Sequence, residues 1–183
     1  VIDVEMSQSN PFPFMPMHDG TQWNPAKGTS YITRLSADLT TKTPSDYRIE
    51  TLYPNITGAL PRQDDRYNTV PYRYGFMGCP DPADPVRWKA ACYARIDHQT
   101  RSWQLWKAPA TVSLGEPLFV PSRADSREGE GYLLGVAWHV DQALRADLLI
   151  LDAEHVQEGP IATVHLPMQA SPQIHGWWVR EDQ

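Results

Sequence analysis

Cysteine is scarce in this sequence. Cys79 and Cys92 are the only two in 183 residues, too few for a disulfide framework. Neither has a second cysteine two or three positions away, which argues against a thiolate metal site. We read both as free thiols of a reducing, cytoplasmic compartment. No run of roughly 18 apolar residues occurs, so no membrane-spanning helix is expected. No run of lysine or arginine exceeds two residues, and 16 basic against 22 acidic side chains leave a net charge of −6. Nucleic acid, which needs a basic patch to neutralise phosphate, is therefore not an expected partner. The acidic balance reads as a solvated surface. The opening segment Val1-Ile2-Asp3-Val4-Glu5 has neither an initiator Met nor the basic-then-apolar pattern of a signal peptide. We expect such a chain to be a piece of a longer one. Common enzyme motifs are also missing: there is no Gly-x-Ser-x-Gly elbow, no phosphate loop ending in Gly-Lys-Ser/Thr, and no His-Glu-x-x-His. Gly129-x-Gly131-x-x-x-Gly135 has the wrong spacing for a dinucleotide loop and opens a strand, so it reads as a hairpin turn.

What the chain does have is proline, 17 residues spread along its length, with seven Trp and eight Tyr. Scattered proline forbids long helices and marks frequent turns, while aromatics suit pleated, half-buried surfaces. Residues 1–28 read as an irregular loop region, with Phe12, Phe14, Met15 and Met17 among prolines, packed over a core or cavity. Tyr31–Asp38 and Tyr47–Leu52 form a predicted hairpin around Thr40–Ser45. Gly58–Pro85 reads as turn-rich. Val86–Asp97 and Arg101–Lys107 form a hairpin across His98-Gln99-Thr100, with Cys92, Ala94 and Ile96 alternating against Tyr93 and Arg95 at a period of two. Strands are then predicted over Pro117–Pro121, Tyr132–Val140, Asp147–Asp152, Ile161–Leu166 and His175–Arg180, with Ser122–Glu130 a charged loop and Ala153–Gly159 a turn. Short strands with turn signals every 8–12 residues or so give an all-β fold with few or no long helices, whether sandwich, barrel or propeller. At about 40–45 residues per propeller blade the length supplies roughly four.

Six histidines are candidates for chemistry. His155, His165 and His175 recur every ten residues, but intervening turns reset the face each strand presents. His155 reads as solvated, His165 as pointing to solvent or a rim, His139 as a satisfied structural residue, and His98 and His18 as turn and loop residues. His175 differs: it precedes Gly176 and the apolar triplet Trp177-Trp178-Val179. Gly lets a group approach the backbone closely, and a lone His in apolar sequence can be a core residue or a ligand whose partners lie elsewhere.

Several blocks together resemble the carotenoid cleavage oxygenase family. They are Glu116-Pro117-Leu118-Phe119-Val120-Pro121 with Arg127-Glu128-Gly129-Glu130-Gly131 and Tyr132-Leu133-Leu134; Leu148–Ala153 followed by Gly159–Pro167; and Ile174-His175-Gly176-Trp177-Trp178-Val179. Upstream, Leu60-Pro61-Arg62 with Tyr72–Phe76 is similar to another family block. Pro11-Phe12-Pro13-Phe14 and Asn24-Pro25 resemble the branch that cleaves lignin-derived stilbenes and related phenylpropenoids. The resemblance covers nearly all of residues 1–183 but only the C-terminal two-fifths or so of a family member. It implies about three to four blades of a seven-bladed β-propeller, with residues 1–28 over its central face and the N-terminal remainder as the partner that completes it.

The resemblance also implies an Fe(II) cofactor held by four histidines, of which His175 matches the fourth. None of the other histidines here sits in a matching motif. Glu116 matches a glutamate that accepts a ligand histidine's ring N–H, fixing its tautomer and orientation. The implied reaction is cleavage by O₂ of a C=C bond in a small hydrophobic or aromatic alkene, such as a stilbene, phenylpropenoid or apocarotenoid, to two carbonyl products. This segment alone is expected to be inactive. Two positions depart from the family pattern: Ala59 stands where a second such glutamate is expected, and Ile174 where a Phe commonly precedes the ligand. The alternative reading is a catalytically inactive, metal-free propeller fragment or binding module.

Overall fold

The computed structural model describes residues 1–7, 9, 17–24, 27–41, 46–84, 90–142, 145–169 and 172–179. Among them are twelve strands, two single-turn 3₁₀ helices and no longer helix. The strands form three antiparallel sheets. The first orders β1 (Ile2–Ser7), β2 (Ser30–Ala37) and β3 (Tyr47–Thr51). The second orders β4 (Ala59–Gln63), β5 (Tyr74–Cys79), β6 (Cys92–Asp97) and β7 (Ser102–Lys107). In the third, β8 (Val112–Leu114) and β9 (Leu118–Pro121) both pair with β10 (Gly131–His139), followed outward by β11 (Arg145–Asp152) and β12 (Pro160–Gln169).

The all-β expectation and most hairpins are present as read, but three details differ. Residues 2–7, expected to be irregular, form β1, because Ile2–Ser7 find a full ladder on Leu35–Ser30 of β2. The rest of the Pro/Phe-rich segment, 10–16, lies outside the described residues. The turn-rich stretch 58–85 contains β4 and β5, which its prolines and glycines disguise. His175–Val179 is not a strand; side chains from two sheets hold its backbone instead.

The second sheet is the centre of the packing. Phe76 and Tyr93 face the third sheet, joining Leu114, Phe119, Leu133, Leu149, Leu151 and Val156 in one apolar cluster. From the opposite face, Met77, Cys92, Ala94 and Ile96 pack on Ile32, Leu52, Tyr53 and Ile56. The period of two along β6 is real, yet both of its faces are buried, as Tyr93 at 0% exposure shows. Cys79 and Cys92 are free, buried thiols, paired across β5 and β6. Full burial drives the Cys79 thiol above its ordinary value, so it stays protonated.

Two glycines let the sheets meet. A Cβ on Gly135 would lie 1.9 Å from the Tyr93 hydroxyl oxygen, which donates to the Gly115 carbonyl at 3.1 Å. Gly129 sits at φ +77°, its backbone against the Tyr74 ring. These requirements, not phosphate binding, account for the Gly129…Gly135 spacing. The charged loop before β10 is pinned by Arg66, which donates to the Ala124 and Ser126 carbonyls at 2.9 and 3.0 Å. No described helix is long and apolar enough to cross a membrane.

Candidate functional site

The site begins with a turn of backbone in β4. Leu60 adopts φ +54°, a left-handed conformation that is costly for a branched residue. The ladder to β5 is irregular between Ala59 and Arg62. A bulge of this kind re-aims the side chains around it. The Glu5 carboxylate of β1 accepts from the Leu60 amide at 3.0 Å and so holds the turn. Two residues on, Arg62 reaches across to the third sheet.

There it meets Glu116, on the approach to β9. Glu116 is 5% exposed and carries three contacts. One oxygen, Oε2, accepts from Arg62 Nη2 at 2.8 Å and from the Gly176 amide at 3.0 Å. The other, Oε1, lies 3.2 Å from His175 Nδ1. Burial pushes the Glu116 carboxyl up, but Arg62, the Gly176 amide and His175 outweigh it and hold it below the ordinary carboxylate range. It is therefore ionised at neutral pH. An ionised carboxylate only accepts, so His175 Nδ1 is the donor; in the neutral imidazole the lone pair is then on Nε2. Among the described residues Nε2 has no hydrogen-bond partner, and the His175 side chain is 68% exposed. Glu116 and His175, singled out 59 residues apart in sequence, are thus brought together.

Arg62 belongs to one of the family blocks, but sequence reasoning gives it no role. A signal for it exists: a cation in one block must face the buried anion of another. Its Nη2 also donates to the Gly176 carbonyl at 3.0 Å, and its Cζ lies 5.9 Å from the centre of the Trp177 ring. Beside His175 opens a cavity of about 270 Å³, lined by Glu116, Leu134, Trp138, Leu148, Ile174 and Trp178 among others.

Four of the remaining histidines find other partners. His139 Nε2 and His165 Nδ1 lie 2.7 and 2.8 Å from the two oxygens of Asp147, with Arg145 2.9 Å from the same carboxylate. His155 Nδ1 pairs with Asp152 at 2.9 Å. His98, read as a turn residue, folds inward: its Nδ1 is 2.9 Å from the Tyr53 hydroxyl, and its ring stands edge-on to Tyr72. Burial lowers its pKa to about 4. Among the described residues no group of three or more His, Cys, Asp or Glu side chains could hold a metal ion. The ten-residue interval gathers no site.

The family model described as RPE65, retinal pigment epithelial membrane protein, matches residues 1–180. The chain belongs to the RPE65/carotenoid oxygenase family. Among carotenoid oxygenase relatives, isoeugenol monooxygenase of Pseudomonas nitroreducens is 35% identical over 97% of this chain and 38% of its own length. Lignostilbene-alpha,beta-dioxygenase isozyme III of Sphingomonas paucimobilis is 32% identical over 96% of the chain and 37% of its own length. The crystal structure of Pseudomonas brassicacearum lignostilbene dioxygenase superimposes with a TM-score of 0.83 at 26% identity, covering 97% of this chain and 38% of that one. The chain thus spans under two-fifths of the relatives it matches, and its three open sheets are part of a carotenoid oxygenase propeller.

Proposed function

We propose that this chain is the C-terminal part of a non-haem Fe(II) dioxygenase that cleaves a C=C bond of a stilbene, phenylpropenoid or apocarotenoid to two carbonyl products. The observation that carries the reading is the contact between His175 Nδ1 and the buried Glu116 carboxylate, 3.2 Å apart. In a neutral imidazole held this way the lone pair is on Nε2, which has no partner among the described residues, and that is the form in which histidine binds metal. One imidazole does not make a metal centre, so His175 fits as one ligand of a shared set, with the others in the N-terminal remainder of the propeller. Bound Fe(II) would supply the spin-permitted chemistry of O₂.

The chain's own residues hold and orient. Glu116 fixes the His175 tautomer and ring plane and balances the Arg62 charge. Trp138, Trp178, Leu134, Leu148 and Ile174 give the adjoining cavity an apolar, aromatic wall, suited to an aryl alkene and unsuited to charged substrates. The names of the relatives, an isoeugenol monooxygenase and lignostilbene dioxygenases, favour phenylpropenoids and stilbenes over longer polyenes. The free, buried cysteines agree with a reducing cytoplasmic setting.

Iron content and alkene cleavage of the full-length protein, with and without His175→Ala, test the reading. Loss of iron and of activity together is the expected result. Full iron and unchanged turnover in the variant would remove His175 from the centre. A wild-type protein that takes up no iron would favour the metal-free binding module, for which Ala59 is the sequence feature.

A further inference from the structure

Within this chain the His175 side chain is 68% exposed, so packing among the described residues does not fix its ring. The segment around it has no ladder, and nothing lies within 4 Å of where a Cβ on Gly176 would be. Beside the His175–Glu116 contact, this stretch is held by polar contact with Gly176. Its amide donates to Glu116 Oε2 at 3.0 Å and its carbonyl accepts from Arg62 Nη2, also at 3.0 Å. The two ends of one glycine are therefore gripped by the two halves of one ion pair, itself closed at 2.8 Å. One jaw comes from β4 in the second sheet, the other from the lead into β9 in the third.

The guanidinium is committed to this grip at a cost. Both bonds are made by Nη2, while Arg62 Nε is buried with no partner among the described residues. A buried donor left unpaired is destabilising. The bulge at Ala59–Arg62 and the left-handed Leu60, held by Glu5, are further backbone strain that aims the same side chain. Without Arg62, Glu116 would be a carboxylate 5% exposed with no opposing charge, and such groups move outward or take up a proton.

We infer that Arg62 is a positioning residue, which clamps the Gly176 peptide together with Glu116 and so sets where the His175 ring stands. The clamp is a property of this chain's own side chains. Its consequence for a metal rests on the reading of His175 as a ligand, and the two are separated by experiment.

The experiment uses the full-length protein with Arg62→Met, which keeps the apolar stem and removes the donors, and Arg62→Lys, which restores a cation and donor. Deuterium uptake by a peptide covering 173–179 is followed in the metal-free protein, and Fe(II) affinity by chelator competition. In Arg62→Met the Gly176 amide should exchange at least about tenfold faster, since the loss of two hydrogen bonds to a charged group shifts opening by that much or more. Fe(II) affinity should fall about 10–100-fold, as when an orienting partner of a ligand is removed. Arg62→Lys should bring both values most of the way back, which a purely steric role would not. Unchanged uptake in Arg62→Met overturns the clamp. Faster uptake with unchanged iron affinity, while His175→Ala loses iron, overturns the positioning role. Faster uptake with iron indifferent to both variants supports the clamp and sinks the ligand reading instead. Where Arg62→Met prevents folding, Arg62→Gln, which lacks the charge and the reach, is judged by the same uptake criterion.

Discussion

Replacing Glu116 by Gln tests the electrostatic logic of the site without altering its shape. In the native chain Oε2 accepts from Arg62 and the Gly176 amide, and Oε1 faces His175 Nδ1. A glutamine can place only one carbonyl oxygen. Arg62 and the Gly176 amide are both obligate donors, so the oxygen must go to them and the NH₂ group must face Nδ1. Two donors cannot face each other, and the His175 proton is driven to Nε2. The Gly176 amide and His175 contacts also fall from charge-assisted bonds of about 1.5–3 kcal/mol to neutral ones of about 0.5–1.5, while the Arg62 bond keeps one charged partner. Across those two contacts the midpoints differ by about 2.5 kcal/mol in all, and by nearer 1–2 once solvent screening at the exposed His175 is allowed for. The fold should survive. Ring ¹⁵N shifts of histidine-labelled, metal-free protein at a pH above the imidazole titration would show His175 changing from the Nδ1–H to the Nε2–H form. Fe(II) affinity of the full-length protein should fall about 10–100-fold. If the Glu116→Gln protein keeps the Nδ1–H tautomer, the assignment of Glu116 as the group that sets it is wrong.

Three other outcomes follow from the packing. Gly135→Ala puts a methyl 1.9 Å from the Tyr93 hydroxyl oxygen and should lower stability by about 1–3 kcal/mol; adding Tyr93→Phe should recover part of it, whereas additive losses in urea denaturation would refute the clash. His98 has a folded pKa of about 4 against 6.5, so between those values the unfolded chain binds the extra proton and stability rises with pH, by at most about 3 kcal/mol over that interval. His98→Asn should flatten that slope, and an unchanged slope would shift the cause to its neighbours Asp3, Arg34, Tyr53, Tyr72, Asp97 and Arg101. Arg66→Ala removes the donors to the Ala124 and Ser126 carbonyls and the ion-pair partner of the buried Asp64; loop 122–130 should be cut faster by protease and the denaturation midpoint should fall, and unchanged cleavage would refute the anchor.

The strands legible in the sequence are those with a clean period or a continuous apolar run. Thus Leu118–Pro121, Gly131–His139 and Arg145–Asp152 appear close to their expected limits. β4 and β5 stay hidden because Pro61, Gly75 and Gly78 are breakers in a local reading, yet each fits its place: Gly78 packs its backbone near Ala90, for example. Alternation sets Tyr93 on the face of β6 it shares with Arg95, but it tells which residues share a face, not whether that face is covered. Glu116 comes to notice only through the family blocks, and His175, a candidate from its own context, gains a role only through them; no spacing rule connects the two. Arg62 escapes local reasoning, since its partner lies 54 residues away and is reached through a bulge. His98 reads as a turn residue because hairpin turns are normally solvated, and only the docking of Tyr53 and Tyr72 makes it an interior one.

The grip on Gly176 also bears on the order in which the protein matures. Its jaws lie 114 and 60 residues earlier in the chain, in different sheets. Closing contacts of such separation carries an entropic penalty that local hairpins avoid. Segment 172–179 can settle only after the second and third sheets have docked and Arg62 has met Glu116. On the proposed reading, His175 would take its ligand orientation only after those contacts have closed. An incompletely folded chain would display a freely turning imidazole, a poor trap for a metal ion. Competence to bind metal would thereby become a report that the two sheets are correctly joined.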